Sequence, residues 1–313
     1  MACFNRLLVL LAVCLASASP RLAEAQTART LKIVVPLAAG GGADIVARVL
    51  AEQIGRAQNV TAVVENRPGA GTVIGTEAVA RAAPDGETVL LTNPAFLINP
   101  HIKKVGYDPL TNFDPVCNIV NFPLVFVVAA DSPLKTMADL IAMAKAKLGS
   151  VTVASAGTGN PTHLGFEVLK AATGLEMTYV PFPGAAPAVN ALLGGHITSI
   201  YSDYTTVSAQ LKAGALRPLA VGSRQRFAGL PNVPTIPELG YTPYEAESWN
   251  GVLAPAETRR TRSRSSKAGS RRRELKEKLG ALGIYPEAVC GADYSASLAG
   301  NTNTTAAPSA IRN

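Results

Sequence analysis

The chain has none of the short signatures that mark catalysis or metal binding. Its three histidines never form an HExxH, which excludes the zinc-hydrolase helix. Its four cysteines include no CxxC and no Cys/His pairing at zinc-ligand spacing. There is no GxSxG turn to expose a nucleophilic serine. No Ser/His/Asp or Cys/His set stands in a recognisable context. Carboxylates are scattered without a close pair. The glycine-rich turn after the first strand lacks the GxGxxG of dinucleotide folds and the Lys-Ser/Thr of a Walker A loop. No cofactor is expected, and beyond Gln26 no apolar run reaches transmembrane length.

Charge is also sparse, at 16% of residues, yet the formal net charge is +7. Eight of the basic residues fall between Arg259 and Arg273, and without them the balance is −1. Basicity confined to one run is not a field across a face, so no nucleic-acid partner is expected.

The first 25 residues read as a signal peptide. Arg6 is a short basic region, Leu7 to Ala16 an apolar stretch, and Ala23-Glu24-Ala25 places small residues before a cut at Gln26. Cys3 and Cys14 would leave with it. Cys117 reads as a small buried hydrophobe, and a bridge from Cys117 to Cys290 stays open in an oxidising compartment.

The rest alternates in an α/β manner. Leu31 to Leu37 is a β-branched apolar run ended by a glycine-rich turn. A helix is expected from Ala43 to Ile54, with Ile45, Val46, Val49, Leu50 and Ile54 on one face. Strands at Thr61 to Glu65 and Thr88 to Thr92 enclose a helix at Ile74 to Ala82. The pattern restarts with strands at Leu124 to Ala130, Val151 to Ser155, Met177 to Val180, Ile197 to Tyr201 and Leu216 to Val221. Helices at Lys135 to Lys147, Pro161 to Thr173 and Ala186 to Gly194 lie between them. Two similar α/β lobes around a cleft follow.

Two turns carry chemistry. Pro36 to Asp44 brings a glycine-rich backbone to a helix start, where unpaired N–H groups and the helix dipole favour an anion. Ala154 to His163 does the same in the second half, with Asn160 as N-cap and Pro161 at the first helical position. If the two face each other, a molecule with a carboxylate at each end fits. His163 and Glu167 share a helix face, but His163 reads as a loop brace or ligand contact, not a metal ligand. Asp203 is either a turn residue or a cleft residue that fixes a ligand hydroxyl, amino group or water.

Taken together, IVVPLAAGGGADIVAR at 33–48, VVENRPGAGTVIG at 63–75, ASAGTGNPTHL at 154–164, VPFPGAAPAVNALLGGHI at 180–197 and WNGVLAPA at 249–256 resemble the Bug/TctC family. These are extracytoplasmic receptors of tripartite tricarboxylate transporters. The resemblance runs from about residue 31 to 256. It implies a type II periplasmic-binding-protein fold whose lobes close on a carboxylate, held by backbone N–H groups and ordered waters. One lobe would be 31–125 plus 246–313, the other 126–245. It implies contact roles for Ala38, Ala39, Gly40 and Asp44, and for Gly157, Thr158, Gly159, Asn160 and His163. Pro183 and Gly184 would line the cleft, Asp203 would be a polar contact, and Gly71 and Thr72 would flank the pocket. The implied partners are a small carboxylate and the membrane subunits of the transporter, with the receptor a monomer.

The sequence departs from the family in four places. Leu37 stands where an aromatic is usual, and Phe182-Pro183 replaces the commoner Tyr-Lys; both are positions where ligand choice can change. Residues 257–273 are Arg/Ser-rich with no apolar face, and 297–313 are Ala/Asn/Thr-rich, so the closing helix is expected to be missing. Compensating reading-frame shifts would explain both segments. A genuine basic linker is the rival, and translating the gene in all frames separates the two. An enzyme on the same fold would need an acid, base or nucleophile at the cleft, and the sequence offers none in a recognisable setting.

Overall fold

The computed structural model describes residues 29–242, 244–258, 277, 279–280 and 289–305, with side chains to residue 300. The expected signal segment and the basic run at 259–273 lie outside the described residues. Strand β1 (Thr30–Val35) stops before Pro36 and leads through a glycine turn into α1 (Gly42–Gln58). Asp44 in its first turn and Arg56 in its last suit the helix dipole, and Asn59 closes it in the left-handed region. Next come β2 (Thr61–Asn66), α2 (Val73–Ala80), β3 (Thr88–Thr92) and α3 (Ala95–Ile102). Strand β1 pairs in parallel with both β2 and β3, as α/β crossovers require.

Strand β4 (Phe113–Ala129) is far longer than the apolar run at Leu124 predicts. It joins the two halves. Phe113 to Pro123 pair antiparallel with β9 (Glu247–Pro255). From Leu124 onward its partners are β7 (Ser199–Asp203) and β8 (Leu216–Val221). Pro115 and Pro123 have no amide to donate, and the register shifts beside Pro115 and again between Asn118 and Val120.

The second half contains α4 (Met137–Ala146), β5 (Thr152–Ser155), α5 (Pro161–Thr173), β6 (Thr178–Pro181), α6 (Ala185–Leu193) and α7 (Tyr204–Lys212). Strand β5 pairs in parallel with β6 and β7. The sheet order is β2-β1-β3-β9-β4-β7-β5-β6.

Each half has its own core. One gathers Phe96, Tyr107, Phe113 and Trp249; the other Phe126, Met137, Leu140, Phe166, Tyr201 and Tyr244. A third cluster runs between them through Ile33, Val46, Val125, Val127 and Ile200, and receives Leu279 from the chain's last part.

Two expectations are corrected here. Cys117 is not merely a buried hydrophobe: it is disulfide-bonded to Cys290. The two face each other where β10 (Val289–Cys290) pairs antiparallel with β4. The closing helix is also present, as α8 (Ala292–Thr305). Among its described side chains Tyr294 and Leu298, one turn apart, are the two that bury themselves against the first core, at 2% exposure each. Two apolar anchors in a small polar helix are too few to register as a periodic pattern.

Candidate functional site

A cavity of about 570 Å³ lies where the turns of the two halves meet. Its wall comes from the turns leading into α1, α2, α5 and α6, from Asp203 at the start of α7, and from Asn93, Phe122, Leu124, Ser248 and Asn250. Four helices therefore begin at one space, each with a first turn short of hydrogen-bond partners. The N-caps of α1 and α6, Gly41 and Gly184, have no side chain to offer, and the first amide of α1 is taken by Thr206 Oγ1. Among the described lining residues there is no Lys, Arg or His, and Asp203 is the one charged side chain.

The β1–α1 turn is braced from behind. Gly40, at φ 82°, takes the left-handed backbone that glycine tolerates. Its N–H donates to Asp44 Oδ2 at 3.0 Å, and Arg48 Nε donates to the same oxygen at 2.9 Å. Burial alone would raise the Asp44 pKa. The bonds from Arg48, Gly40 and Asn66 outweigh it, with the Arg48 charge, and hold the carboxyl below its ordinary range. Asn66 Nδ2 ties down the Leu37 carbonyl at 3.1 Å.

In the β5–α5 turn the carbonyl of Gly157 accepts from Tyr179 Oη at 2.5 Å, Asn160 Nδ2 at 3.0 Å and Ser155 Oγ at 3.2 Å. A trans peptide sets its C=O and N–H in opposite directions. Anchoring this carbonyl inward turns the Thr158 N–H away from the anchor, and Thr158 lies on the cavity wall. Asn160 caps α5 by accepting from His163 N–H at 2.9 Å. His163 Nδ1 accepts from the Gly159 N–H at 3.3 Å, and its ring packs on Tyr179 at 4.5 Å. Burial lowers the His163 pKa, against the pull of Glu167, and an accepting Nδ1 requires the neutral ring.

The halves touch directly. Gly42 N–H donates to Thr206 Oγ1 at 3.0 Å. Thr206 N–H and Oγ1 donate to Asp203 Oδ1 at 2.9 and 2.8 Å, and Thr205 Oγ1 donates there too. A side chain at Gly42 would overlap Thr205 and Asp203. A Cβ on Gly184 would come 2.8 Å from Ala38 Cβ, and one on Gly71 would come 3.1 Å from the Thr158 carbonyl. Beside that seam, Asn99 Nδ2 donates to Gly71 O at 2.5 Å and Thr72 Oγ1 at 3.0 Å, and Lys103 Nζ donates to Ala70 O at 2.9 Å. Burial lowers the Lys103 pKa.

Of the residues singled out from sequence, Ala38, Gly71, Thr72, Gly157, Thr158, Asn160, Pro183, Gly184 and Asp203 stand on the wall. Ala39, Gly40, Asp44, Gly159 and His163 are not part of it; Gly40 with Asp44, and Gly159 with His163, form the hydrogen bonds that hold the turns. Sequence reasoning missed Asn93, Phe122, Leu124, Ser248 and Asn250. They sit on or just after strands, where no local motif announces a cavity.

Two α/β halves joined through β4 and β9, with a cavity between their helix-leading turns, define a periplasmic binding-protein fold. The family model of the tripartite tricarboxylate transporter family receptor, TctC, matches residues 46–267. The chain belongs to this family of solute-binding receptors. It is similar to protein BugT of Bordetella pertussis, 36% identical over 260 residues that cover 81% of this chain and 80% of BugT. The solved periplasmic binding protein BugD superposes with a TM-score of 0.79 at 32% identity, covering 89% of this chain and 95% of that one. The R. palustris protein Rpa4515, solved with adipate, gives a TM-score of 0.78 at 29% identity, covering 90% and 95%.

Proposed function

We propose that the chain is an exported receptor that captures a small carboxylate in this cavity and delivers it to the membrane subunits of a tripartite transporter. The observation that carries the reading is the convergence of four helix starts on a space whose described lining residues include no cationic side chain. A carboxylate there is met by oriented amides, in a site where fixed dipoles do the work of a counter-ion. The Thr158 amide and the uncapped start of α6 are the donors best placed for it. Leu37, Phe122, Leu124 and Phe182 supply an apolar band for the ligand's carbon chain. Adipate in Rpa4515 is a molecule of that kind, acidic at both ends and apolar between.

Residues 31–125 with the described part of 246–305 form one lobe and 126–245 the other. A ligand that touches turns from both lobes favours the closed form over the open one, and closure is what a transporter can sense. The protein acts as a periplasmic monomer and turns nothing over. A thermal-shift screen of the exported chain against mono-, di- and tricarboxylates tests this. At least one is expected to raise the melting point in a concentration-dependent way. A flat response across the panel contradicts the reading.

A further inference from the structure

Strand β9 faces the cavity on one side and carries α8 on the other. Ser248 and Asn250 stand on the cavity wall. Trp249 and Gly251 alternate with them and point the opposite way, as successive residues of a strand do. There they meet Tyr294 of α8. The Trp249 and Tyr294 rings lie 6.1 Å apart in a T-shape. Tyr294 Oη fills the space that a Cβ on Gly251 would need, and Tyr294 Cζ lies 2.8 Å from that point. The helix therefore touches the wall strand at the residue next to Asn250.

That contact is steric. Thr92 and Asn118 are the register partners of Gly251 on its two sides. Thr92 Oγ1, Asn118 Oδ1 and Tyr294 Oη are buried without a hydrogen-bond partner, so no such bond fastens this row to the helix. Asn250 Nδ2 donates to the Trp249 carbonyl at 3.1 Å, within its own strand, and Asn250 Oδ1 has no partner. Ladder hydrogen bonds run in the plane of the sheet, so packing on the two faces fixes a strand perpendicular to it. Where one face looks onto a cavity, the other face decides. The start of α8 is itself fastened to β4 just before Tyr294. Cys290 is bonded to Cys117, and the Gly291 N–H donates to the Val116 carbonyl at 3.1 Å.

We infer that Tyr294 is a positioning residue for solute capture. Seated on Gly251, it backs β9 from the far side and sets where Ser248 and Asn250 stand in the cavity, without touching the solute. The inference rests on the receptor reading above. Wall residues must be held to within about half an ångström for tight binding, and a side chain behind the wall can supply that.

The test is calorimetric titration of the exported chain and its variants with succinate, glutarate, adipate and citrate, well below every melting point. Tyr294→Leu withdraws the ring from Gly251 and should weaken the tightest-binding of these acids about tenfold or more. Gly251→Ala drives a methyl group against the tyrosine and should do the same. Gly251→Ala/Tyr294→Phe removes the colliding oxygen and should return the affinity to within about threefold of the wild type. Leu140→Ala opens a void in the other core, and should lower the melting point while leaving the affinity unchanged. Wild-type affinity in Tyr294→Leu would overturn the inference and leave the receptor reading intact. So would an equal loss of affinity in Leu140→Ala, which would make the effect one of general stability. A double variant that binds no better than Gly251→Ala, or that fails to fold as Gly251→Ala does, would overturn it too. Absence of binding of all four acids by the wild type would overturn the receptor reading and this inference with it.

Discussion

The amide of Gly42 donates to Thr206 Oγ1 at 3.0 Å, and that hydroxyl passes its own proton to Asp203 Oδ1 at 2.8 Å. One threonine side chain thus joins the first turn of α1 in one lobe to the first turn of α7 in the other. Thr206→Val keeps the shape and removes both bonds. It leaves a buried N–H without a partner, at a cost of about 1–3 kcal/mol. Urea denaturation of the two proteins measures it. An unchanged midpoint would mean that the contact contributes nothing to stability.

His163 gives the protein a pH-dependent brace. Its folded-state pKa lies below the ordinary 6.5, because burial disfavours the charged ring. Folding therefore prefers the neutral form. The stability this provides is complete above the unfolded value and is lost as pH falls from about 6.5 through the folded value. Protonation also removes the acceptor that holds the Gly159 amide. The melting point of the wild type should fall more steeply between about pH 7.5 and 5 than that of His163→Gln. Parallel curves would refute the brace.

The Cys117–Cys290 bridge spans 173 positions of sequence. Cross-linking so distant a pair restricts the unfolded chain strongly, and about 2–4 kcal/mol of stability is expected from it. Peptide mapping without reductant should recover the linked pair. Urea midpoints with and without reductant should then differ, and the Cys117→Ser/Cys290→Ser variant should lose its response to reductant.

Helix α8 is held by Tyr294 and Leu298 against Phe96, Phe113 and Trp249. Leu298→Ala should cost about 2–5 kcal/mol, as deletion of a well-packed leucine does. A loss below about 0.5 kcal/mol would be that of a surface residue and would mean that the helix is not docked.

The architecture is legible in the sequence where one local rule decides. Strands β1, β2 and β3 show as short β-branched runs, and the turns before α1 and α5 show as glycine followed by a helix start. Strand β4 does not, because Pro115, Asn118, Asn121 and Pro123 interrupt its first half and its pairing with β9 is long-range. Helix α3 contains Pro100 and Asn99, both poor residues for a helix interior. Tertiary contact overrides that, through Asn99 holding the Gly71 turn and Tyr107 donating to the Phe96 carbonyl at 3.0 Å. For the cavity, the turns were visible and the floor was not. Asn250 and Ser248 reach it from β9, more than 170 positions from Thr72, which ends the nearest wall turn of their own lobe. No spacing rule connects strands so far apart.

The most direct measurement compares a carboxylate that raises the melting point with its neutral carboxamide by calorimetric titration of the same protein. If amides converging from both lobes recognise negative charge, the acid binds one to one and the carboxamide binds at least about a hundredfold more weakly, the scale of losing charge-assisted hydrogen bonds. Equal affinity for the two would contradict the account, because the cavity would then be reading shape and not charge.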